Sequence, residues 1–240
     1  MNVYPDKEKI IVDFEAAAIQ VITTKFPNAA THGCFYHLTQ NTWRKIQELG
    51  FTSLYKENDE FRVFCGKIDS LAFLPVADVT AGMMSLHNTC PAEAVELLSY
   101  FDSNYVTRTY RPGRRNQQDA LNLRRIPLRF PPMLWNVHVA TLKAEAMTNN
   151  LCEGWNCQFY HLVGHHHPSI WRCILSLQKE EVTVSAILTR NGEPPKKKKV
   201  RVFIQMQQRL KSLVTDYNNG NKTMEQFLQG LLHNIRLMDD

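Results

Sequence analysis

The stretch "KIIVDFEAAAIQVITTKFPNAATHGCF", residues 9–35, decides the fold. Its β-branched start predicts a short buried strand that carries Asp13 at its end. Apolar residues at spacings of three and four then predict a helix, which ends before Pro27 because the residue preceding a proline is pushed out of the α region. "AATHGCF" predicts a second strand. This alternation indicates an α/β fold.

Composition sets the class of protein. The chain has 240 residues, 44% of them apolar, which allows one sizeable core or a core with an inserted subdomain. No apolar stretch has the length of a signal-peptide core or of a membrane span, so we expect a soluble intracellular chain without a membrane partner. The six cysteines are too sparse for a disulfide framework, which favours reduced thiols or metal ligands.

Helical periodicity dominates the rest of the chain. A helix is predicted from His37 to Leu49, and from Tyr55 onward the apolar stripes have helical spacing only, which predicts an all-α block of about 50 residues. Further helices are predicted over "TNNLCEGWNCQFYHLV" and, nearer the C-terminus, over residues 169–188, 203–213 and 224–235.

Basic residues concentrate at 108–129. This segment contains seven arginines and one acid, a local charge of +6. A solvated loop is one interpretation, but arginine predominates over lysine, and the guanidinium fork suits phosphate oxygens. Contact with a phosphate backbone is therefore the second interpretation. The candidate DNA-binding residues are Arg108, Arg111, Arg114, Arg115, Arg124 and Arg125.

Glu153 lies in the first turn of the predicted helix in "MTNNLCEGWN". On spacing alone it complements the helix dipole, which contributes about 0.3 to 1 kcal/mol. A strand-end Asp, a long helical interruption and an acid on a late helix are also the order expected of a ribonuclease-H-like nuclease with an insertion. Phosphodiester cleavage by two divalent ions needs carboxylates that flank both metals.

Four ordered blocks resemble the transposase domain of Mutator-like elements, the MULE family, as also found in transposon-derived proteins with FLYWCH-type zinc fingers. They are the 41-residue block that starts at "IVDFEAAAIQ" and ends at "QELGF", then "LAFLPVADV", "PPMLWN" and "TNNLCEGWN". Four blocks in order are more specific than one motif. The resemblance implies a partial ribonuclease-H-like core interrupted by an all-α insertion, with a helical C-terminal tail.

The resemblance also implies a reaction and its ligands. Asp13 matches the second catalytic, metal-binding acid and Glu153 the third, so Mg²⁺ or Mn²⁺ would serve DNA cleavage and strand transfer in the parent enzyme. DNA and further copies in a transposition complex are the implied partners, without a small-molecule substrate. In the family the first acid lies on an earlier strand. We therefore expect the chain to begin inside the catalytic domain, to lack that acid and to have little or no activity.

The alternative is a non-catalytic DNA-binding or protein-interaction module that retains the fold. The predicted segments are 1–54 for the partial core, 55–140 for the helical insertion, 141–190 for the return to the core, and 191–240 for a basic linker and C-terminal helices. The stretch Pro195–Lys199 resembles a nuclear-localisation signal, although four lysines also suit a solvated surface. Nuclear localisation is the expectation, with the cytoplasm as the alternative.

Cys34 and His37 form the Cys-x-x-His that follows the second acid in the family. They are candidates for half of a zinc site, completed by Cys152, Cys157 or His161. The alternative is a packing or hydrogen-bonding role at the turn from strand to helix, or a role in positioning Asp13.

Overall fold

Two compact units make up the part of the chain that the computed structural model describes, which is residues 8–107, 110–112, 123–191 and 201–235. The first unit comprises the described residues of 1–148 and 205–240, and the second comprises those of 149–204. Both are rich in helix, and the first also contains two small sheets. The chain is thus of the mixed α/β class.

The first unit begins with a strand-helix-strand motif. Strand β1 (Lys9–Val12) pairs in parallel with β2 (Ala30–Gly33), and helix α1 (Ala16–Lys25) connects them. Helix α2 (Phe35–Glu48) follows β2 directly and ends before Gly50, whose φ of +75° is the conformation that favours glycine. Both strands and both helices lie within two residues of their predicted bounds.

Helices fill the next fifty residues, as the apolar stripes predict. They are α3 (Thr52–Glu57), α4 (Asp59–Ser70), α5 (Val79–Asn88) and α6 (Val95–Phe101), joined by short 3-10 turns, and a π-helical turn (Asp102–Val106) follows. The side chains that give α4 its periodicity are buried, including Phe61, Phe64 and Ile68. They form the centre of the core of the first unit.

An antiparallel ribbon interrupts the helical block. Strand β3 (Tyr110–Pro112) pairs with β4 (Leu123–Arg125), and the register opposes Arg111 to Arg124. The prediction of an all-α insertion therefore needs correction at this point. Short strands so rich in arginine give little of the apolar alternation by which strands are recognised.

A buried turn after α4 is held by a segment more than sixty residues later. Helix α7 (Pro132–Trp135) and helix α8 (His138–Lys143) flank Asn136, whose side-chain Nδ2 donates to Leu74 O at 2.7 Å. Val137 N donates to Ala72 O at 2.8 Å, and His138 Nδ1 lies 2.7 Å from Phe73 O. Three carbonyls of the wholly buried turn are satisfied in this way.

The C-terminal helices belong to the same core. Helix α11 (Arg201–Asn218) joins the first unit from Gln205 onward, and α12 (Met224–Ile235) packs along α4. Tyr217 Oη donates to Asp78 Oδ2 at 3.0 Å, and burial together with this bond raises the pKa of Tyr217 to about 12. What the sequence predicts as a tail is thus part of the first unit.

The second unit is a helical hairpin. Helix α9 (Asn150–Val163) ends at Gly164, whose φ is +88°, and α10 (Ile170–Asn191) follows. Trp155 Nε1 donates to Glu180 Oε1 at 3.2 Å, which joins the two helices. The units have bounds that differ from the predicted segments, since position 54 falls inside the first unit.

We expect Asn136→Ala to lower the free energy of unfolding by about 1–3 kcal/mol, because it leaves the buried Leu74 carbonyl and the His138 amide, which donates to Asn136 Oδ1, without their partner. Denaturant titration of the purified protein measures this. Asn88→Ala, at an exposed position, is the matched control. Equal stability of the two variants would contradict a structural role for Asn136.

Candidate functional site

Asp13 lies directly after β1, at the carboxyl edge of the parallel strand pair. Ligands of open α/β sheets bind at this edge, because loops after the strands converge there. The Asp13 side chain is about half exposed, at 53%. A carboxylate at this place is accessible to a cation or to a proton donor.

Phe14 fixes the backbone next to Asp13. Its ring contacts Phe130 edge-on with centroids 5.1 Å apart and Tyr105 with centroids 5.9 Å apart. Tyr105 and Phe130 stack on each other at 5.6 Å. We call these three residues the aromatic cluster. Gly33 on β2 makes room for it, since a Cβ atom there would lie 2.6 Å from Phe14 Cζ.

His37 lies on the first turn of α2 beside Asp13. Its Nδ1 is 3.0 Å from Asp13 Oδ1, and its side chain is 20% exposed. The sequence names both residues as candidates, and the structure brings them together. A carboxylate that contacts an imidazole can orient the ring. The pair can therefore exchange a proton with a bound ligand or present charge to it.

Cys34 precedes α2 as its N-cap residue and is wholly buried. Its amide donates to Val12 O at 2.7 Å, which extends the strand pairing into the turn. Among the described residues, no three His, Cys, Asp or Glu side chains converge as a metal site. Cys152, Cys157 and His161 belong to the second unit. A packing role of Cys34 at this turn fits its burial.

His32 lies on β2, one residue before Gly33. Burial lowers its pKa from the ordinary 6.5, Lys9 lowers it further, and Glu145 opposes both. Lys9 Nζ donates to Glu145 Oε2 at 3.3 Å and to Ala146 O at 3.1 Å. The chain after α8 is thereby tied to the first strand, and Phe35 N donating to Met147 O at 3.0 Å ties it to α2.

Glu153 lies in the first turn of α9, where the sequence places it. Its amide donates to Asn149 O at 3.2 Å, and the partly buried carboxylate complements the helix dipole. Glu153 belongs to the second unit and Asp13 to the first. The two predicted metal ligands are therefore carried by different units.

The basic segment is anchored at both ends. Thr107 N donates to Asp102 O at 2.8 Å before it, and Phe130 N donates to Asn104 O at 3.1 Å after it. Arg129 is exposed, with its guanidinium 5.4 Å from the centre of the Phe130 ring. Three predicted DNA-binding residues, Arg111, Arg124 and Arg125, occupy the ribbon strands. The other three, Arg108, Arg114 and Arg115, lie outside the described residues, as does Pro195–Lys199.

The comparisons with family models, with curated proteins and with solved structures return no match. None of the helices in the described part of the chain has the length and apolar character that a bilayer span requires.

Two features of the site are missing from the sequence predictions. The first is the contact of Phe14 with Tyr105 and Phe130, which joins positions more than ninety residues apart. The second is the electrostatic interaction of His32 with Lys9 and Glu145. The only local sequence signal is Phe14, the aromatic residue directly after Asp13. No spacing rule connects Phe14 to Tyr105 and Phe130.

We expect Gly33→Ala to cost about 1–3 kcal/mol of unfolding free energy, because the added methyl group overlaps the Phe14 ring. Gly154→Ala is the matched control, since a Cβ there meets no atom within 4 Å and lies on a helix. Thermal unfolding of both variants measures the difference. A Gly33→Ala protein as stable as the control would show that the Phe14 contact is loose.

Stability should fall as the pH drops through about 6.5, because His32 has a lowered pKa in the folded state, so the unfolded chain binds its proton more readily. His32→Asn should flatten this dependence between about pH 7 and pH 5. Denaturant titrations at several pH values measure the slope. The exposed His161→Asn is the control, and an unchanged slope in His32→Asn would exclude His32 as the source.

Proposed function

We propose that this chain is a DNA-binding domain derived from a MULE-type transposase and that, by itself, it cleaves DNA little or not at all. The parent activity is divalent-metal-dependent cleavage and transfer of DNA strands. The proposal rests on the four sequence blocks together with the arrangement of the first unit.

One observation carries the proposal: the aromatic cluster connects the basic segment to the strand-end acid. Phe14 adjoins Asp13, and its ring packs on Tyr105, before the basic segment, and on Phe130, directly after it. The two ends of the basic segment thus lie against the residue that follows Asp13. A DNA backbone bound by this segment would pass close to the Asp13 carboxylate.

Charge supports DNA as the partner. The segment 108–129 has a local charge of +6, more than the +5 of the whole chain, so the remainder is nearly neutral. Localised arginine charge attracts a polyanion by releasing its counterions, and the affinity then falls steeply with salt. A merely soluble surface does not require arginine over lysine.

The strand-helix-strand unit supports a mixed α/β class, and the proposed ancestry is a finer interpretation of it. A parallel β-α-β unit followed by a helix, with an acid at the first strand end, is the start of many α/β nucleotide-handling folds. A partial ribonuclease-H-like core is our interpretation of it. Self-association in a transposition complex and nuclear localisation belong to the same proposal.

The small number of possible metal ligands is the reason for proposing weak or absent DNA cleavage. Magnesium or manganese would supply Lewis-acid activation of water and of the phosphate, and it prefers several oxygen ligands. At the strand end the first unit offers one carboxylate, Asp13, in contact with the imidazole of His37. A second such pair, His87 and Asp102, lies apart from it in the helical block, and the described residues contain no group of three candidate ligands. These residues do not make up a two-metal site, so we derive no catalytic step through a metal.

We expect the purified chain to bind duplex DNA without sequence preference, with the logarithm of Kd rising against that of salt at a slope of about 3.6–5.4 if four to six phosphates are neutralised. Filter binding or fluorescence anisotropy across a salt series measures the slope. A chain that does not bind, or binds without salt dependence, would refute the DNA-binding function.

In the same preparation, plasmid nicking in Mg²⁺ or Mn²⁺ should not exceed the level of Asp13→Asn and Glu153→Gln. Each substitution removes one charge and keeps the side-chain size, so it serves as a matched background. Nicking by the unaltered chain that both substitutions abolish would show a working metal site and would overturn the expectation of an inactive domain.

A further inference from the structure

The hairpin of α9 and α10 has almost no core of its own. Among the described residues of the second unit, only Val163 and Ser176 have buried side chains. Isolated helices are marginal in water, and helices in proteins gain most of their stability by packing an apolar face against a neighbour. Two buried side chains supply little of this for a helix of 14 residues and one of 22. The hairpin therefore needs further burial on its outer surface.

Helix α10 shows which of its sides is open. Ser176, which is buried, and Glu180, which accepts a hydrogen bond from α9, mark the side that faces α9. At 3.6 residues per turn, Trp171, Leu175 and Val182 lie on the opposite side of the helix. All three are exposed, Trp171 by 73%. The helix thus turns large apolar side chains away from its partner in the hairpin.

A second apolar stripe on α10 adjoins the first. Its members follow at spacings of four, three and seven and are exposed, namely Ile170, Ile174, Leu177 and Val184. At about 150–250 Å² for a wholly exposed large side chain, the exposed fractions of both stripes amount to roughly 700 Å² of apolar surface. The largest apolar patch of a typical monomer covers about 300–600 Å², so a patch of this size indicates an interaction site.

The area fits a dimer contact. A specific interface buries about 800 Å² on each partner, most of which the two stripes of α10 would supply. The segment 170–184 is also neutral, because it contains two basic and two acidic side chains, Arg172, Lys179, Glu180 and Glu181. A neutral apolar surface does not attract a polyanion and does not repel its own copy.

The described part of the first unit has a different distribution of apolar surface. Its exposed large apolar side chains are spread over α1, α5, α7 and α8, among them Val21, Met84, Met133 and Val139. Contact between two α10 helices buries the same stripes twice and matches them in length and charge. A second copy of this chain is therefore the partner that the surface fits best.

We propose that this chain forms a dimer in which the outer side of α10, with Trp171, Leu175 and Val182 at its centre, packs against α10 of a second copy. The inference deepens the proposed function and rests on the self-association that belongs to it. It assigns that self-association to the second unit, whereas Asp13 and the basic segment belong to the first.

The test is sedimentation equilibrium of the full chain without DNA, over a range of protein concentrations at low and at high salt. The unaltered chain should dimerise, and high salt should not weaken the dimer, because apolar contacts are not screened. Trp171→Glu/Leu175→Glu should raise the Kd of the dimer at least tenfold. The matched control is Met84→Glu/Met133→Glu, which adds the same charge at exposed apolar positions of the first unit and should leave this Kd unchanged.

A second variant and a second readout cover a failure of the glutamate pair to fold. Trp171→Ala/Leu175→Ala, with a residue that favours helix, then takes its place, and circular dichroism establishes folding. In addition, the difference in fluorescence between the unaltered chain and Trp171→Phe reports on the indole of Trp171. Acrylamide should quench this difference less as protein concentration rises, because the second copy covers the ring.

The outcomes separate this proposal from the DNA-binding function. A chain that sediments as a monomer at every concentration would overturn the α10 contact, and so would equal dimerisation of the α10 pair and the control pair. Association that high salt abolishes, or a Trp171 indole equally accessible at all concentrations, would also contradict it. DNA binding is judged from the salt series of the unaltered chain, so a monomer that binds DNA would leave that function standing.

Discussion

The first unit depends on satisfying the backbone at the end of α4. The turn at Leu71–Leu74 is wholly buried, so each of its carbonyls must find a partner inside the protein. Asn136, Val137 and His138 supply partners for three of them, and Leu74 N donates to the fourth, Leu71 O, at 3.2 Å. Asn218 Nδ2, 3.2 Å from His138 Nε2, extends the network to α11. Hydrophobic burial would tolerate many arrangements of these helices. The directional bonds select one, because a shifted segment would leave buried carbonyls unpaired at about 1–3 kcal/mol each.

This constraint also positions the candidate site. Once Asn136 to His138 are fixed, α8 and the residues after it run back to the strand pair, where Met147 O accepts from Phe35 N and Glu145 binds Lys9. The start of α2, which carries His37, is thereby bonded to a segment that the buried turn holds. The contact of His37 with Asp13 thus depends on bonds made elsewhere in the unit.

Local periodicity accounts for most of the fold that sequence reasoning predicts. Strand β1 lies where the β-branched run predicts a strand, and helix α4 lies inside the block that the apolar stripes predict to be helical. The ribbon has no such pattern, since Tyr110, Arg111 and Pro112 resemble a loop by composition. The sequence offers a role of His37 in positioning Asp13 as one alternative, but their contact depends on how β1 and α2 meet. Phe14 shows the general limit: its partners Tyr105 and Phe130 are set by tertiary packing, which a single sequence does not encode as a spacing.

In the proposed DNA contact, the aromatic cluster would determine where the bound DNA lies relative to Asp13 and His37. A flexible basic segment would bind DNA equally well, but it would not control where the backbone lies relative to the acid and imidazole. Here Tyr105 and Phe130, at the two ends of the basic segment, pack against the residue next to Asp13. Loss of catalysis in a transposase-derived domain would remove selection on the acids, while selection for DNA binding would still maintain this packing. Under the proposed ancestry, the packing of the cluster would thus be kept after metal chemistry is lost.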